Sequence, residues 1–304
     1  MEFYSNGKLL ISGEYVVLDG ALAFALPTQF GQSLQVEQID EPVLYWTSYD
    51  VDGQVWMNEK VDLLHVVQET NLEGGAYLLT LVHVLRVAHR LNPSILEQSG
   101  GFKVESRLTF PRLWGLGTSS TWINNVAQWF EINPYQLLQE SFGGSGYDIA
   151  CAQYKSALLY ERTSPVQPYV ELVDFQPTFA QYIYFVYLNQ KQSSKEAIAA
   201  YRAKKGSIGH QAQRITEISK ALANATTVDV FQTLLREHEA ILSAILGVQP
   251  IQEHLFPDFK GVIKSLGAWG GDFVMAVTTE NPTAYFKEKG YTTLISYDEM
   301  IAVE

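Results

Sequence analysis

A glycine-rich segment from Gly115 to Thr121 has the residue types of a phosphate-binding loop. Gly115 and Gly117 permit sharp turns and a close approach of the backbone to a ligand. The hydroxyl residues that follow lie at the first turn of a predicted helix, where free N–H groups and the helix dipole favour an anion. A hydroxyl there can also ligate Mg²⁺, which prefers oxygen. The segment alone is also typical of a helix cap after a glycine turn. It is neither a Walker A loop, because the lysine is missing, nor a dinucleotide fingerprint.

Two further glycine-rich turns are each followed by or end in an aspartate. Gly143 to Gly146 precede Asp148 at the start of a short predicted helix. Such a carboxylate can align or deprotonate an acceptor hydroxyl in phosphoryl transfer, or it can be a plain N-terminal helix charge. The third turn, Gly267 to Asp272, joins two apolar predicted strands. It is typical of either a simple hairpin or a loop whose backbone approaches a ligand closely.

Basic residues are concentrated between Lys191 and Arg214, where Glu196 is the one acid. The segment is consistent with a solvated helix face, or with an anchor for an acidic substrate near Ser193. The histidines show no metal-ligand spacing. His238 lies on the apolar stripe of a predicted helix and is expected in the core, as is Cys151.

The elements that must position these residues alternate between strands and helices. Short β-like runs fill the first 57 residues, and an apolar 3.6-residue period predicts a largely buried helix over residues 75–91. The segment 162–178 holds three prolines and little periodicity, which favours a domain boundary. The predicted division is 1–175 and 176–304, and the predicted class is α+β.

Composition excludes several kinds of protein. The chain has 304 residues, a hydrophobic content of 47% and a net charge of −12. That charge argues against a nucleic-acid binder and against adsorption to an anionic membrane. A single cysteine excludes an intramolecular disulfide framework. The most apolar run, residues 76–85, is too short to span a bilayer, and the N-terminus has no signal-peptide pattern, so we expect a cytoplasmic protein.

Taken together and in order, three segments resemble the three motifs of the GHMP kinases, the family of galactokinase, homoserine kinase, mevalonate kinase and phosphomevalonate kinase. They are Asn6 to Gly20, Gly115 to Thr121 and Lys264 to Ala276. The first motif looks most like that of phosphomevalonate kinase, because Tyr15 stands where mevalonate kinases have histidine. The string Gly146 to Ala150 also resembles a bacterial subgroup of mevalonate-kinase-like proteins named for those five letters.

The resemblance implies a two-lobed α+β fold. Its N-terminal lobe would be like the second domain of ribosomal protein S5, and its C-terminal lobe would be ferredoxin-like. It also implies ATP and Mg²⁺ as cofactors and a small anionic acceptor, mevalonate or phosphomevalonate. No nucleic-acid or membrane partner is expected, and the protein would be a monomer or a homodimer.

The resemblance also assigns residue roles. Asp148 would orient or deprotonate the acceptor, and Lys8 would stabilise charge on the transferred group. The predicted nucleotide-binding residues are Gly115, Leu116, Gly117, Thr118, Ser119 and Ser120. The predicted acceptor-binding residues are Glu14, Tyr15, Ser145, Gly146, Ser193, Gly270, Gly271 and Asp272. Ser119 matches the family's Mg²⁺ ligand, while Leu137 replaces the acidic ligand of mevalonate kinase, and Glu140, one turn later, is offered as its substitute.

Two alternatives remain at this point. Trp114 before the second motif, Trp269 in the third and Leu137 depart from the family pattern. They leave room for a protein that binds a nucleotide or metabolite without catalysis. A decarboxylase of the diphosphomevalonate type, which phosphorylates and then eliminates, is the other alternative.

Overall fold

The fold comes from a computed structural model, which describes residues 1–97, 100–190, 194–204, 206, 208–269 and 271–302. Its strands are β1 (Glu2–Ser12), β2 (Ala23–Ile39), β3 (Val43–Tyr49), β4 (Val55–Asp62), β5 (Gly101–Leu108), β6 (Ala157–Glu161), β7 (Tyr169–Val173), β8 (Ile183–Tyr187), β9 (Val262–Ser265), β10 (Phe273–Val277) and β11 (Leu294–Ser296). Its helices are α1 (Leu64–Val67), α2 (Ala76–Leu91), α3 (Ser94–Glu97), α4 (Thr118–Trp129), α5 (Pro134–Ser141), α6 (Tyr147–Gln153), α7 (Ser194–Lys204), α8 (Gly209–Ala223), α9 (Val228–Leu246), α10 (Ile251–Leu255), α11 (Thr283–Glu288) and α12 (Tyr297–Met300).

A seven-stranded sheet forms the N-terminal part of the molecule. Its order is β4-β3-β5-β2-β6-β7, and β1 pairs with the other edge of the long strand β2. The β3–β5 pair is parallel and the remaining pairs are antiparallel. Strand β1 is buried on both faces: Leu10 joins the core under α2, α4 and α6, whereas Leu9 and Ile11 join the core under α8 and α9. This explains the continuous apolar run from Leu9 to Ile11 in β1.

The C-terminal sheet has the ferredoxin-like topology that the resemblance implied. Its four antiparallel strands lie in the order β11-β8-β10-β9, which is 4-1-3-2 in chain order. Helices α8 and α9 lie between β8 and β9 in the chain, and α11 lies between β10 and β11. One face of the sheet packs on α8 and α9, and the opposite face packs on α10 and α11. The predicted α+β class is therefore confirmed.

A shared core joins the two sheets. Phe24 of β2, Phe185 of β8 and Phe231 of α9 all belong to it. Phe175, at the predicted boundary, contacts the rings of Phe24 and Phe231 at centroid distances of 5.1 and 6.0 Å. The division at residue 175 falls between β7 and a 3-10 turn at Ala180–Tyr182. It stays a prediction, since the apolar packing runs across it.

One local expectation was wrong. The run from Tyr15 to Leu18, followed by Asp19-Gly20, predicts a strand and a hairpin turn. The structure has a 3-10 turn at Val16–Asp19, and β1 pairs with β2 across it. Tyr15 starts that turn with a φ of +62°, which is rare outside glycine. Among the described residues no helix is both long enough and apolar enough to cross a membrane.

Candidate active site

The second glycine loop lies between β5 and α4. A 3-10 turn at Arg112–Trp114 leads into Gly115 and Gly117, whose φ values of +68° and +100° require glycine. Helix α4 begins at Thr118 with Gly117 as its N-cap and no side-chain cap. The first N–H groups of α4 therefore have no side-chain acceptor at the cap, which leaves them available for an anion.

The hydroxyl groups of this loop have different environments. Ser119 is exposed and Thr118 is partly exposed at the start of α4. Ser120 is buried, and its hydroxyl donates to the Gly117 carbonyl at 2.8 Å. Leu116 is fully buried in the core, so only its backbone lines the loop. Of the predicted nucleotide-binding side chains, Ser119 and Thr118 are the ones with hydroxyls accessible to a ligand.

Lys8 fastens β1 to this loop. Its backbone N–H donates to the Leu116 carbonyl at 3.0 Å, and its Nζ donates to the Gly115 carbonyl at 2.9 Å. The Lys8 stem also lies against Gly117, where an added Cβ would meet Lys8 Cγ at 3.3 Å. The ammonium group is thus held at the loop by a neutral carbonyl oxygen.

Asp148 lies at the start of α6, partly exposed and electrostatically coupled to Lys8. Burial raises the pKa of the Asp148 carboxyl, and the Lys8 charge opposes that rise. The preceding turn sets its position: Gly146 has a φ of +93°, and the Ser145 carbonyl accepts a hydrogen bond from the Tyr160 hydroxyl. Ser145 and Gly146, predicted to bind the acceptor, thereby hold the turn that carries Asp148.

The third loop meets the second. The Asp272 carboxylate lies so close to Gly115 that an added Cβ there would be 2.4 Å from Asp272 Oδ2. Asp272 has a φ of +52°, and its backbone N–H donates to the Gln190 carbonyl at 2.7 Å. Gly271 beside it is buried. The predicted residues Gly270 and Ser193 lie outside the described residues.

The first turn, by contrast, is mostly closed. Tyr15 is partly exposed, and its hydroxyl accepts a hydrogen bond from the Trp269 N–H at 3.2 Å. Glu14 is only 1% exposed and forms an ion pair with Lys264. The space between the second loop, Asp148 and the third loop is called the cleft below. Tyr15 lies beside the third loop, whereas the Glu14 carboxylate is buried against Lys264.

The predicted metal ligands Ser119 and Glu140 lie on different helices, Ser119 at the start of α4 and Glu140 near the end of α5. Glu140 is exposed on α5 and accepts a hydrogen bond from Gln136 at 2.9 Å. Leu137, at the position of the family's acid, is fully buried in the core. Within the described ranges no group of three or more histidine, cysteine, aspartate or glutamate residues could hold a metal. Ser119 is the predicted ligand whose hydroxyl is accessible.

Sequence reasoning missed Tyr147 and Lys264. Tyr147 lies beneath Lys8, with Nζ 6.0 Å from its ring centroid. Burial raises the pKa of its hydroxyl well above the usual range, and Asp148 adds to the effect. Tyr147 falls in the string Gly146 to Ala150 and Lys264 opens the third motif, but the sequence assigned a role to neither. The pairing of Lys264 had no signal, because its partner Glu14 lies 250 residues away in the chain.

The remaining expectations concern two core residues, Trp114 and the basic segment. His238 and Cys151 are fully buried, as expected of core residues. The Trp114 ring packs edge-on against the rings of Phe30 and Phe273, with a centroid distance of 5.5 Å in each pair. In the basic segment, Arg214 is committed to Glu217 and Glu237 at 2.7 and 2.6 Å. Arg202 is exposed, and Lys191 and Lys205 lie outside the described residues.

The whole chain is similar to kinases of known structure. The Methanococcus jannaschii mevalonate kinase matches with a TM-score of 0.74 and 17% identity over 100% of this chain and 98% of its own. The Streptococcus pneumoniae phosphomevalonate kinase, in complex with phosphomevalonate and AMPPNP, gives 0.72 and 15% over 97% and 99%. The Lactococcus lactis galactokinase, complexed with galactose, gives 0.66 and 15% over 99% and 95%.

These likenesses establish the fold of the chain. All three proteins are GHMP kinases, and the predicted two-lobed fold of that superfamily is confirmed for this protein. No protein-family model and no curated protein sequence matches the chain.

Proposed function

We propose that this protein is an ATP- and Mg²⁺-dependent kinase that phosphorylates a small anionic metabolite of the mevalonate or phosphomevalonate type. The observation that carries the proposal is a convergence: Lys8 and Asp272 both lie against Gly115, just before α4, and Asp148 is within electrostatic reach of Lys8. They come from β1, α6 and the third loop. Phosphoryl transfer needs charge neutralisation and positioning at one point, and these groups supply both.

The nucleotide would lie on the second loop. Its triphosphate is a good partner for the N–H groups at the start of α4, because the helix dipole adds to their attraction for an anion. Mg²⁺ keeps most of its waters and takes few protein ligands beside substrate phosphates. The exposed Ser119 hydroxyl fits that demand, and Glu140, turned outward beside Gln136, does not. Bound Mg²⁺ would offset negative charge on the phosphates.

Asp148 would act on the acceptor. With a hydroxyl acceptor, the oxygen forms a bond to the γ-phosphorus, the bond from that phosphorus to the ADP oxygen breaks, and the hydroxyl proton passes to the Asp148 carboxylate. With a phosphate acceptor the attacking oxygen is already anionic, so Asp148 would orient rather than deprotonate. Lys8 would stabilise charge on the transferred group in both cases.

The test combines binding with turnover. Thermal unfolding is measured with and without Mg-ATP, with mevalonate and phosphomevalonate in parallel, and ADP release is followed in the same mixtures. Ligand at a hundred times its dissociation constant stabilises by about 2.7 kcal/mol, a shift of several degrees. We expect a shift that needs Mg-ATP, grows with one acceptor and is accompanied by ADP release.

Other outcomes select other functions. A shift with Mg-ATP but no ADP release across a broad acceptor panel would favour a non-catalytic binding protein, which the buried Leu137 also favours. CO₂ release from diphosphomevalonate would favour the decarboxylase. An absence of any shift at millimolar Mg-ATP would contradict the proposal.

A further inference from the structure

A buried ion pair joins the first turn to the third loop. Glu14 follows β1, Lys264 lies in β9, and the two side chains are 1% and 0% exposed. Lys264 Nζ donates to Glu14 Oε1 and also to the Ser265 carbonyl, the latter at 2.6 Å. Two charges this deep need each other, because a buried charge without a partner is strongly unfavourable.

Two residues of helix α9 contact the segments that carry Glu14 and Lys264. His238 Nε2 accepts a hydrogen bond from the Gly13 N–H at 2.9 Å and lies 3.2 Å from Glu14 Oε2. Burial, with the Lys264 charge, holds the pKa of His238 well below its usual range, so the ring is neutral and can accept at Nε2. Glu239 Oε1 accepts from the Ser265 hydroxyl at 2.8 Å and from its N–H at 3.2 Å.

The turn held in this way is strained. Gly13 and Tyr15 on either side of Glu14 have φ values of +93° and +62°. A positive φ at tyrosine persists only where surrounding contacts fix it. A second contact also joins the first turn to the third loop: the Trp269 backbone N–H donates to the Tyr15 hydroxyl. The Glu14–Lys264 pair is buried, whereas Tyr15 and Trp269 are each partly exposed.

We propose that Lys264 is a positioning residue, which acts through Glu14 to align the first turn with the third loop and so shapes the acceptor side of the cleft. The proposal rests on the proposed kinase function for its kinetic consequence. Its structural part, the alignment of the two loops, does not depend on that function. Lys8 fastens the second loop to β1, and Asp272 of the third loop also lies against Gly115. Because the Lys8 contacts do not involve Glu14 or Lys264, we expect loss of the pair to change the acceptor side more than the nucleotide side.

The experiment compares Lys264→Met, Glu14→Gln and the double variant with the wild-type chain. Lys264→Met leaves the Glu14 charge buried and alone, so we expect a large loss of thermal stability. The double variant removes both charges, so its melting temperature should return to within a few degrees of wild type. The matched control is Lys260→Met. Lys260 is an exposed lysine just before β9, and its Nζ lies 3.7 Å from Glu280 Oε1.

The kinetic readout separates alignment from stability. In the folded double variant we expect the KM for the acceptor to rise at least about tenfold while the KM for ATP stays within about twofold. Lys260→Met should match wild type in both. A double variant with wild-type acceptor KM would show that the pair is only structural, and an equal rise in both KM values would also overturn the proposal.

Amide hydrogen exchange tests the alignment without any activity. In the double variant, the amides of Gly13 and Trp269 should exchange at least about tenfold faster, while those of the segment 117–121 keep their wild-type rates. Unchanged exchange at both amides would overturn the proposal. If the wild-type chain phosphorylates no acceptor, the proposed function fails, and the exchange measurement still decides the role of Lys264.

Discussion

Two lysine–carboxylate pairs in this molecule have the same chemistry and opposite environments. Lys8 and Asp148 are partly exposed at the cleft, and Lys8 donates to a neutral carbonyl while it acts on Asp148 through space. Glu14 and Lys264 are fully buried in direct contact. The proposed function uses the open pair on a ligand, whereas the closed pair uses its charges on each other. Exposure, not residue type, distinguishes the two pairs.

The largest expected effect is at the open pair. Asp148→Asn should lower turnover by about 10³-fold, because a positioned general base contributes roughly 10² to 10⁴. The amide preserves the shape, so the melting temperature and the shift with Mg-ATP should stay close to wild type. ADP release and thermal unfolding check both parts. Turnover within about tenfold of wild type would remove Asp148 from the reaction.

Lys8→Met should lower turnover by about 10²-fold, the scale of losing one preorganised charge. It should also shift a pH profile. The Lys8 charge opposes the burial that raises the pKa of Asp148, so its removal raises that pKa further. Asp148 acts as the carboxylate, and activity is lost as pH falls through its pKa. The acid limb of kcat/KM should therefore move to higher pH, and an unmoved limb would show that Lys8 does not act on Asp148.

Gly115→Ala, compared with a glycine control, should distinguish the cost of backbone strain from the effect of the contact between the second and third loops. The φ of +68° costs an alanine about 1 kcal/mol of folding free energy. Its Cβ would also lie 2.4 Å from the Asp272 carboxylate, so that side chain must turn away or the third loop must shift. We expect the KM for ATP to rise about tenfold. Gly247→Ala is the matched control, because Gly247 has a φ of +62° with no atom near the added Cβ. Equal kinetics in both variants would contradict the loop contact.

The smallest expected kinetic effect is beside the closed pair. Burial raises the pKa of Glu239 from its ordinary value of 4.5 to about 7, against the Lys264 charge. A raised carboxyl pKa gives stability that is present below pH 4.5 and lost as pH rises through 7. At about 1.4 kcal/mol per pKa unit, wild type should lose about 2 to 3 kcal/mol relative to Glu239→Gln between pH 5 and pH 8.5.

Urea unfolding of both proteins at the two pH values measures this difference. The kinetics of Glu239→Gln at pH 7 should stay within about twofold of wild type, since Gln can still accept from Ser265. Parallel stability profiles of the two proteins would show that Glu239 does not titrate in this range.

Residues whose role is local were predictable. Gly115 and Gly117 were recognised because a left-handed turn before a helix requires glycine, and the strands around them followed from apolar patterning. Asp148 was found through its glycine turn. The Tyr15–Leu18 run was read wrongly as a strand, because nothing in those letters shows that the chain turns there with tyrosine at a positive φ.

The sequence by itself determined the α+β class, most of the strands and helices, and the three glycine-rich segments, since turn chemistry and hydrophobic periodicity act over a few residues. The tertiary structure alone decided which charges are free. Glu14 looks like a cleft residue until Lys264, 250 residues away, meets it in the interior. Burial and partnership arise from contacts between distant segments, and these set whether a carboxylate binds a ligand or a lysine.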